Sequence, residues 1–391
     1  MNVVICEARR SPIAGFQGAL ASLSAPQVAS QVIKSLVTQN GMSANLVDEL
    51  IMGCVLTAGI GQAPARQAAL FAGLRRETPC TTVGKVCGSG LKAVMIGAQQ
   101  ILSGENQCVI AGGMESMSQS PYLLPKIREG LRMGNGDLVD SMIKDGLWDV
   151  YNNFHMGNAA ELCSREYKIS REDQDNFAHS SYQKAQKAQA QKLFQDEIVS
   201  IEIPNKKAPI QFSEDEGPAK YRPEKAATLK AAFESTGTIT AFNASSLNDG
   251  AAALLLCSES FAKEKGLKPL ARIISQASAA QAPEWFTTAP TPAIQKALSR
   301  AKLSIEQIDR WEINEAFAAV AIVNRDLLKI QADKINVRGG AIALGHPIGA
   351  SGARILVTLL HTLKQEKLKY GVASLCIGGG EGIALVVENL N

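Results

Sequence analysis

Two cysteines and one histidine stand in glycine-rich stretches of the chain, where a bulky substrate can approach a side chain. Cys87 is followed by Gly88-Ser89-Gly90, His346 lies between Gly345 and Pro347, and Cys376 precedes three glycines. A thiol can accept an acyl group as a nucleophile, and an imidazole can remove the thiol proton. These residue types therefore predict acyl transfer through a cysteine thioester.

The first of these residues, Cys87, lies where a strand-like segment (81–86) turns into a helix. The positive end of a helix dipole favours a thiolate, and such positions lower a cysteine pKa from its usual value of about 8.5. We therefore expect Cys87 to be a nucleophile with a lowered pKa. The alternative is a small residue that only serves a tight turn.

The other two residues offer a base and a group of hydrogen-bond donors. Pro347 fixes the backbone after His346, so we expect that imidazole to face a cleft and to act as the general base toward Cys87. The glycine amides after Cys376 can converge on an anion and stabilise an enolate. The alternatives are a capping or solvent-facing histidine and a buried strand cysteine.

Composition indicates a folded protein that acts on a small molecule. The chain has 391 residues, 46% of them hydrophobic and 20% charged, which is enough for two cores. A net charge of +3 without a basic stripe argues against nucleic-acid binding. The eight cysteines lack the spacing of zinc ligands, so we expect neither a metal nor a cofactor.

The ends of the chain and its longest apolar run bear on location. The strand-like segment 3–6 precedes Arg9 and Arg10, the reverse of the charge order in a signal peptide. The apolar run 251–257 is far shorter than the ~20 residues of a membrane-spanning helix. The last residues are not a peroxisomal tripeptide. We expect a cytoplasmic protein without a membrane span.

Strands alternate with helices in both terminal regions, which predicts an α/β fold with a buried sheet. The order of glycine turn, helix, strand and glycines occurs after Cys87 and again after His346, which indicates two similar halves unless the likeness is accidental. A polar stretch between them contains a helix start at Ser170. We expect an N-terminal half of 1–117, completed by about 242–268, an inserted cap or loop domain of 118–241, and a C-terminal half of 269–391.

Together and in this order, these motifs resemble those of thiolases. Further matching stretches are residues 8–13 (Ala-Arg-Arg-Ser-Pro-Ile), 112–118 (Gly-Gly-Met-Glu-Ser-Met-Ser), 243–251 (Asn-Ala-Ser-Ser-Leu-Asn-Asp-Gly-Ala) and 314–318 (Asn-Glu-Ala-Phe-Ala). The resemblance covers the whole chain. It implies the thiolase fold, in which two pseudo-repeated halves, each with a mixed sheet between helices, form five αβαβα layers beside a loop domain.

The resemblance also implies a ping-pong reaction on coenzyme A thioesters. Cys87, activated by His346, would take an acetyl group from the first acetyl-CoA. Cys376 would deprotonate the methyl carbon of the second, and the enolate would attack acetyl-Cys87 to give acetoacetyl-CoA and CoA. The stretch 85–94 is most similar to the biosynthetic branch of the family. Relatives are commonly dimers or tetramers, so a homo-oligomer such as a homotetramer is expected.

Further roles follow from the same resemblance. One oxyanion hole would combine His346 with a water held by Asn314, and the other would combine the backbone amides of Cys87 and Gly378. The remaining implied contacts are Ser245 with the pantetheine arm, and His155, Met156 and Phe317 around the acyl group.

Several residues differ from those usual in the family. They are Phe242 and Ser246 beside the pantetheine contact, Arg338, and the segment 286–290 that begins with Phe286. We expect Arg338 and Phe286 to reshape the pocket. Two alternatives to the acetyltransferase remain: a degradative 3-ketoacyl-CoA thiolase of fatty-acid β-oxidation, and a catalytically silent CoA- or lipid-binding protein of the same fold.

Overall fold

The apolar runs of the sequence become strands that alternate with helices. The structure is a computed structural model and describes residues 2–39 and 44–391. The strands are β1 Val3–Arg10, β2 Ala14–Gly15, β3 Glu49–Gly53, β4 Cys80–Val83, β5 Cys108–Ser116, β6 Tyr122–Leu123, β7 Val139–Asp140, β8 Trp148–Asp149, β9 Phe154–His155, β10 Ile201–Ile203, β11 Ile210–Phe212, β12 Asn248–Ser258, β13 Ala271–Ala280, β14 Arg310–Ile313, β15 Tyr370–Ile377 and β16 Glu381–Asn389. The helices are α1 Ala25–Gln39, α2 Pro64–Phe71, α3 Ser89–Ser103, α4 Met156–Glu166, α5 Arg171–Ala190, α6 Pro223–Ala226, α7 Glu259–Glu264, α8 Pro290–Ala301, α9 Ala318–Leu328, α10 Ala341–Leu344 and α11 Ile348–Glu366.

Within the described residues, ten strands form one mixed sheet in the order β14-β15-β16-β13-β1-β12-β5-β3-β4, with β2 beside β12. The α/β prediction is therefore confirmed. The sheet has two halves that meet at a short antiparallel ladder between β1 and β13, where Val4 pairs with Arg272 and Ile5 with Ala271. The two expected sheets are thus joined, because β1 pairs with β12 along its length and with β13 at these two positions.

Three hydrophobic cores separate the layers of helix and sheet. Val32 of α1 and Ala68 of α2 share a core with strands of the N-terminal half. α3 and α11 share a core with strands of both halves, so they lie between them. Ile294 of α8 packs with Trp311 of β14 on the outer face of the C-terminal half. The resulting order is helix, sheet, helix, sheet, helix, which matches the five expected layers.

The two central helices approach each other through glycines. A Cβ atom added to Gly90 would lie 2.9 Å from the Ala353 nitrogen, and one added to Gly352 would lie 2.5 Å from the Leu91 nitrogen. Side chains there would force α3 and α11 apart, so glycine is required at both positions. The contact matters for the site because Cys87 lies two residues before α3 and His346 two residues before α11.

The chain between β5 and β12 adds no strand to the large sheet, and the structure describes all of this segment. It contains three two-stranded ladders and helices α4 to α6. Helix α5 begins as predicted, since Ser170 Oγ accepts the Asp173 N–H at 3.0 Å and the Asp173 carboxylate accepts the Ser170 N–H at 2.9 Å. The boundaries 118 and 241 remain a prediction. Among the described helices, none is both long and apolar enough to span a bilayer.

Candidate active site

A cavity of about 390 Å³ opens where the two halves and the inserted segment meet. The predicted site residues on its wall are Cys87, His155, Met156, Ser245, Phe317, His346 and Gly378. Cys376 and Asn314 do not reach the cavity surface, but each lies directly behind residues that do. The fold therefore gathers residues that are up to 291 positions apart, from Cys87 to Gly378, around one enclosed space.

Cys87 stands in a one-turn 3₁₀ helix immediately before α3. The preceding Val86 has a φ of 43°, a left-handed conformation that β-branched residues rarely adopt. Ser89 holds the turn, because its Oγ accepts the Lys85 N–H at 2.8 Å and donates to the Val86 carbonyl at 2.7 Å. This turn leaves the Cys87 side chain half-buried on the cavity wall.

The pKa of Cys87 does not follow the sequence-based expectation. Burial raises it to about 11, although the backbone N–H groups of Gly378 and Cys87 act to lower it and the Glu115 carboxylate adds to the increase. The prediction of a lowered pKa is therefore wrong, because loss of water around the sulfur outweighs the position near a helix start. Cys87 is a thiol at neutral pH and needs a base to become a nucleophile.

Hydrogen bonds fix the His346 ring and its tautomer. The His346 N–H donates to Asn248 Oδ1 at 2.9 Å, and Nδ1 lies 2.6 Å from Ser351 Oγ. The Ser351 hydroxyl donates its only hydrogen to the Pro347 carbonyl at 2.9 Å, so its oxygen accepts from Nδ1–H. Nε2 is then the unprotonated nitrogen, and it lies 3.5 Å from Asn314 Nδ2. At that distance the Asn314 amide donates only weakly to the Nε2 lone pair, so Nε2 can still act as a general base.

Burial lowers the pKa of His346 to about 3, and the Arg354 guanidinium contributes to the decrease. The imidazole is therefore neutral at physiological pH. Behind it, Asn314 Oδ1 is buried without a hydrogen-bond partner among the described residues. Such an orphaned oxygen fits the water that the family resemblance places beside His346.

Cys376 is the penultimate residue of β15 and is completely buried. It packs in one hydrophobic cluster with Met156, Phe286 and Phe317, all of which line the cavity. Burial and the charge of Cys87 raise its pKa well above the ordinary value. The second thiol is thus within electrostatic reach of the first, but it lies behind the cavity wall rather than on it.

Aromatic rings form the acyl end of the cavity. His155 stacks on Phe233 with ring centres 4.7 Å apart, and Phe317 meets the edges of Phe233 at 6.0 Å and of Phe286 at 6.5 Å. Phe286 is almost fully buried and faces the cavity, as expected for a residue that reshapes the pocket.

Two serines also lie on the cavity wall. The N–H and the hydroxyl of Ser245 both donate to the Ala316 carbonyl, at 3.0 and 2.9 Å. Ser246 donates to Asn248 Oδ1 at 2.9 Å, the same oxygen that accepts the His346 N–H. Ser246 therefore belongs to the hydrogen-bond network that holds the imidazole.

Two of the unusual residues lie away from the cavity. Arg338 is buried and donates to the Leu193 carbonyl and to Gln365 Oε1, both at 2.8 Å. The expectation that Arg338 reshapes the pocket is wrong, because its side chain links α11 to the inserted segment instead. Phe242 stacks with Tyr182 at 5.7 Å, in a ring cluster that is not part of the cavity wall.

Sequence reasoning missed two residues that organise the site. Ser351 fixes the tautomer of His346, and Glu115 accepts the backbone N–H groups of Val55 and Gly349. Both occur within the stretches that carry the family resemblance. Ser351 could have been found from the sequence, because its hydroxyl follows the candidate base His346 by five residues. Glu115 could not, because its partners are backbone groups far away in sequence.

Comparisons with known proteins agree with this architecture. The family model for the thiolase N-terminal domain matches residues 3–260, and that for the thiolase C-terminal domain matches residues 267–389. A Pseudomonas aeruginosa protein named acetyl-CoA acetyltransferase is 52% identical over 388 residues, covering 99% of each chain. A protein of the same name from Schizosaccharomyces pombe is 49% identical over 391 residues, covering 100% of this chain and 99% of its own. The crystal structure of the Bacillus anthracis acetyl-CoA acetyltransferase superposes with a TM-score of 0.97 at 44% identity, covering 100% of this chain and 99% of that one.

Proposed function

The chain belongs to the thiolase family, and on this premise we propose that it is an acetyl-CoA C-acetyltransferase. It condenses two molecules of acetyl-CoA to acetoacetyl-CoA and CoA, and it catalyses the reverse thiolysis. Full-length relatives with about half of their residues identical carry the name of this activity. The observation that carries the proposal is the shared cavity, in which the Cys87 sulfur, the His346 imidazole and the Gly378 backbone meet.

The first half-reaction transfers an acetyl group to Cys87. His346 Nε2 takes the thiol proton while the sulfur attacks the thioester carbonyl, and the same proton passes to the departing CoA sulfur. The amides of Cys87 and Gly378 both donate toward the Cys87 sulfur, so a carbonyl oxygen bonded next to that sulfur can lie between them. A preorganised donor of this kind contributes ~10²–10³-fold to the rate.

The second half-reaction forms the carbon–carbon bond. Because of its high pKa, Cys376 is a thiol at rest, so it first passes its proton to His346 Nε2. The resulting thiolate, which is a strong base for the same reason, removes a proton from the methyl carbon of the second acetyl-CoA. The Nε2–H of protonated His346 and the water on Asn314 donate to the enolate oxygen and stabilise it. The enolate carbon then attacks the acetyl carbonyl and the carbon–sulfur bond to Cys87 breaks. The Cys87 thiolate takes the proton held by His346, and Cys376 keeps the proton from the methyl carbon, so both thiols and the neutral imidazole are restored.

The lining of the cavity supports a short acyl group on a pantetheine arm. Phe286 and Phe317 close its acyl end with their rings, while Ala244, Ser245 and Leu247 offer a mostly apolar wall for the arm. The pantetheine contact of Ser245 is a proposal that its position on the wall supports.

A substrate comparison tests the function. Thiolysis of acetoacetyl-CoA and of a medium-chain 3-ketoacyl-CoA by free CoA would be followed by loss of 3-ketoacyl absorbance. We expect the higher kcat/KM with acetoacetyl-CoA. A clear preference for the longer chain would identify a degradative thiolase, and a wild-type protein that acetyl-CoA leaves unmodified would identify a silent binding protein.

A cytoplasmic location, the lack of a cofactor and assembly into a homo-oligomer remain predictions. Size-exclusion chromatography with light scattering would test the last of these, with a dimer or tetramer as the expected result.

A further inference from the structure

Glu115 is a buried carboxylate that receives four hydrogen-bond donors. Its Oε2 accepts the Val55 N–H at 3.1 Å and the Gly349 N–H at 2.9 Å. Its Oε1 accepts the Leu56 N–H at 3.1 Å and faces Cys54 Sγ at 3.8 Å. The side chain has no solvent exposure. Two distant segments of the chain, residues 54–56 and the start of α11, therefore converge on one carboxylate near the end of β5.

These partners are placed next to the acyl-transfer residues. Gly349 is the second residue of α11 and follows His346 by three positions. Leu56, itself an amide donor, and Ile348, which directly precedes the donor Gly349, belong to the hydrophobic cluster against which Cys87 packs. A Cβ atom on Gly349 would lie 2.7 Å from Glu115 Oε2, so the carboxylate approaches the helix start as closely as glycine allows.

Only the ionised side chain can accept all of these bonds. Every partner is a donor, and a neutral carboxyl or an amide would turn an O–H or N–H against at least one of them. The negative charge also faces the amino terminus of α11, where the helix dipole favours an anion.

We propose that Glu115 is a positioning residue of the acyl-transfer site, which fixes the start of α11 and the chain around residue 55 so that His346 and Cys87 keep their relative places. Its negative charge also disfavours a thiolate at Cys87, in addition to the larger effect of burial. The first role rests on the proposed function, whereas the second concerns the thiol alone.

Among the described residues, two titratable groups face Glu115, so its titration can be followed through the reactivity of Cys87. Burial raises its pKa to about 7, against the lowering influence of its three amide donors and the Cys54 thiol. The titratable groups that face it are Cys54, whose pKa burial raises, and Cys87. Glu115 is therefore mostly neutral near pH 6 and mostly ionised above pH 8, and only the ionised form disfavours a thiolate at Cys87.

The test measures alkylation of Cys87 by iodoacetamide, quantified by peptide mass spectrometry, and thiolysis of acetoacetyl-CoA. The variants are Glu115→Gln, Glu115→Asp and, as a matched control, Glu161→Gln. Glu161 is likewise a buried carboxylate, which accepts the Thr238 and Ile239 N–H groups at 2.8 Å, but it contacts neither α11 nor the chain around residue 55.

We expect Cys87 of the Glu115→Gln variant to be alkylated at least about threefold faster than Cys87 of the wild type near pH 8.5, and at an equal rate near pH 6. A decrease of about half a unit in the pKa of Cys87 corresponds to that factor. Its thiolysis kcat should fall at least about tenfold, as expected when a catalytic pair loses its alignment. Glu115→Asp keeps the negative charge, but its shorter side chain cannot reach the same donors. It should therefore retain the wild-type pH profile of Cys87 alkylation and lose thiolysis activity. Glu161→Gln should change neither the alkylation ratio nor its pH dependence.

A rate ratio that does not depend on pH, or wild-type turnover in Glu115→Gln, would overturn the proposal. If Glu115→Gln does not fold, the wild-type alkylation rate decides, because its logarithm should rise less steeply around pH 7 than on either side. A straight line of unit slope through that range would contradict the charge effect. Wild-type protein without thiolysis activity would refute the proposed function, and the alkylation comparison would still decide the role of Glu115.

Discussion

Cys87 and Cys376 are the same residue type in two halves of similar architecture, yet they differ in burial and in access to the cavity. Cys87 precedes a helix, is half-buried and faces the cavity, and two backbone N–H groups donate to its sulfur. Cys376 lies near the end of a strand and is completely buried in one cluster with Met156 and Phe317. The sulfur on the cavity wall has oxyanion donors in place, whereas the completely buried sulfur is protected from solvent.

This difference assigns separate tasks to the two thiols. A nucleophile must be reached by a carbonyl and must have donors ready for the developing oxyanion. A base for a weakly acidic carbon gains from a high pKa, and burial raises that of Cys376. The comparison predicts that Cys87 carries the acetyl group and that Cys376 moves a proton.

Replacement of Cys87 should have the largest effect. Cys87→Ala should lose the acetyl adduct after exposure to acetyl-CoA and lower thiolysis by at least about 10³-fold, because no other thiol faces the cavity donors. Intact-mass analysis and a thiolysis assay measure both. An adduct that persists on Cys376 in this variant would show that the two thiols are interchangeable.

Replacement of Cys376 should separate the two half-reactions. In Cys376→Ala the acetyl adduct at Cys87 should still form, while condensation should fall by ~10²–10⁴-fold, the usual contribution of a general acid or base. Peptide mapping and a condensation assay give the two readouts. Loss of the adduct as well would argue that Cys376 supports acylation and not only proton transfer.

Loss of the Ser351 hydroxyl should have an intermediate effect. Ser351→Ala removes the acceptor that fixes the His346 tautomer, and loss of such a buried hydrogen bond should lower kcat by ~10- to 100-fold with a smaller change in KM. Thr362→Val is the matched control, because Thr362 also donates to a carbonyl of α11 at 2.8 Å but lies more than three turns beyond His346. Equal losses in both variants would indicate a general effect on α11.

The smallest effect concerns the acyl end of the cavity near Cys376. Phe286→Met replaces a rigid ring with a flexible side chain and should raise relative kcat/KM for longer 3-ketoacyl chains by only several-fold. Thiolysis assays with 3-ketoacyl-CoA substrates of two chain lengths measure this ratio. An unchanged ratio would remove Phe286 from the determinants of substrate length.

Local features of the fold were predictable from sequence, whereas long-range electrostatics were not. The Ser170 capping box and the helix after Cys87 depend on neighbouring residues, and both were predicted correctly. The pKa of Cys87 depends on burial by segments that are remote in sequence, so its local helix start was misleading. The position of Arg338 was predicted wrongly because its partner Leu193 is also remote in sequence and belongs to the inserted segment.

The most direct test of the account is a crystal structure of the Cys376→Ala variant after exposure to acetyl-CoA. It should show one acetyl group on Cys87, with its carbonyl oxygen about 2.7–3.1 Å from the amide nitrogens of Cys87 and Gly378, and its methyl group directed at residue 376. An acetyl oxygen that meets neither amide, or a methyl group that faces away from residue 376, would contradict the proposed division of labour between the two thiols.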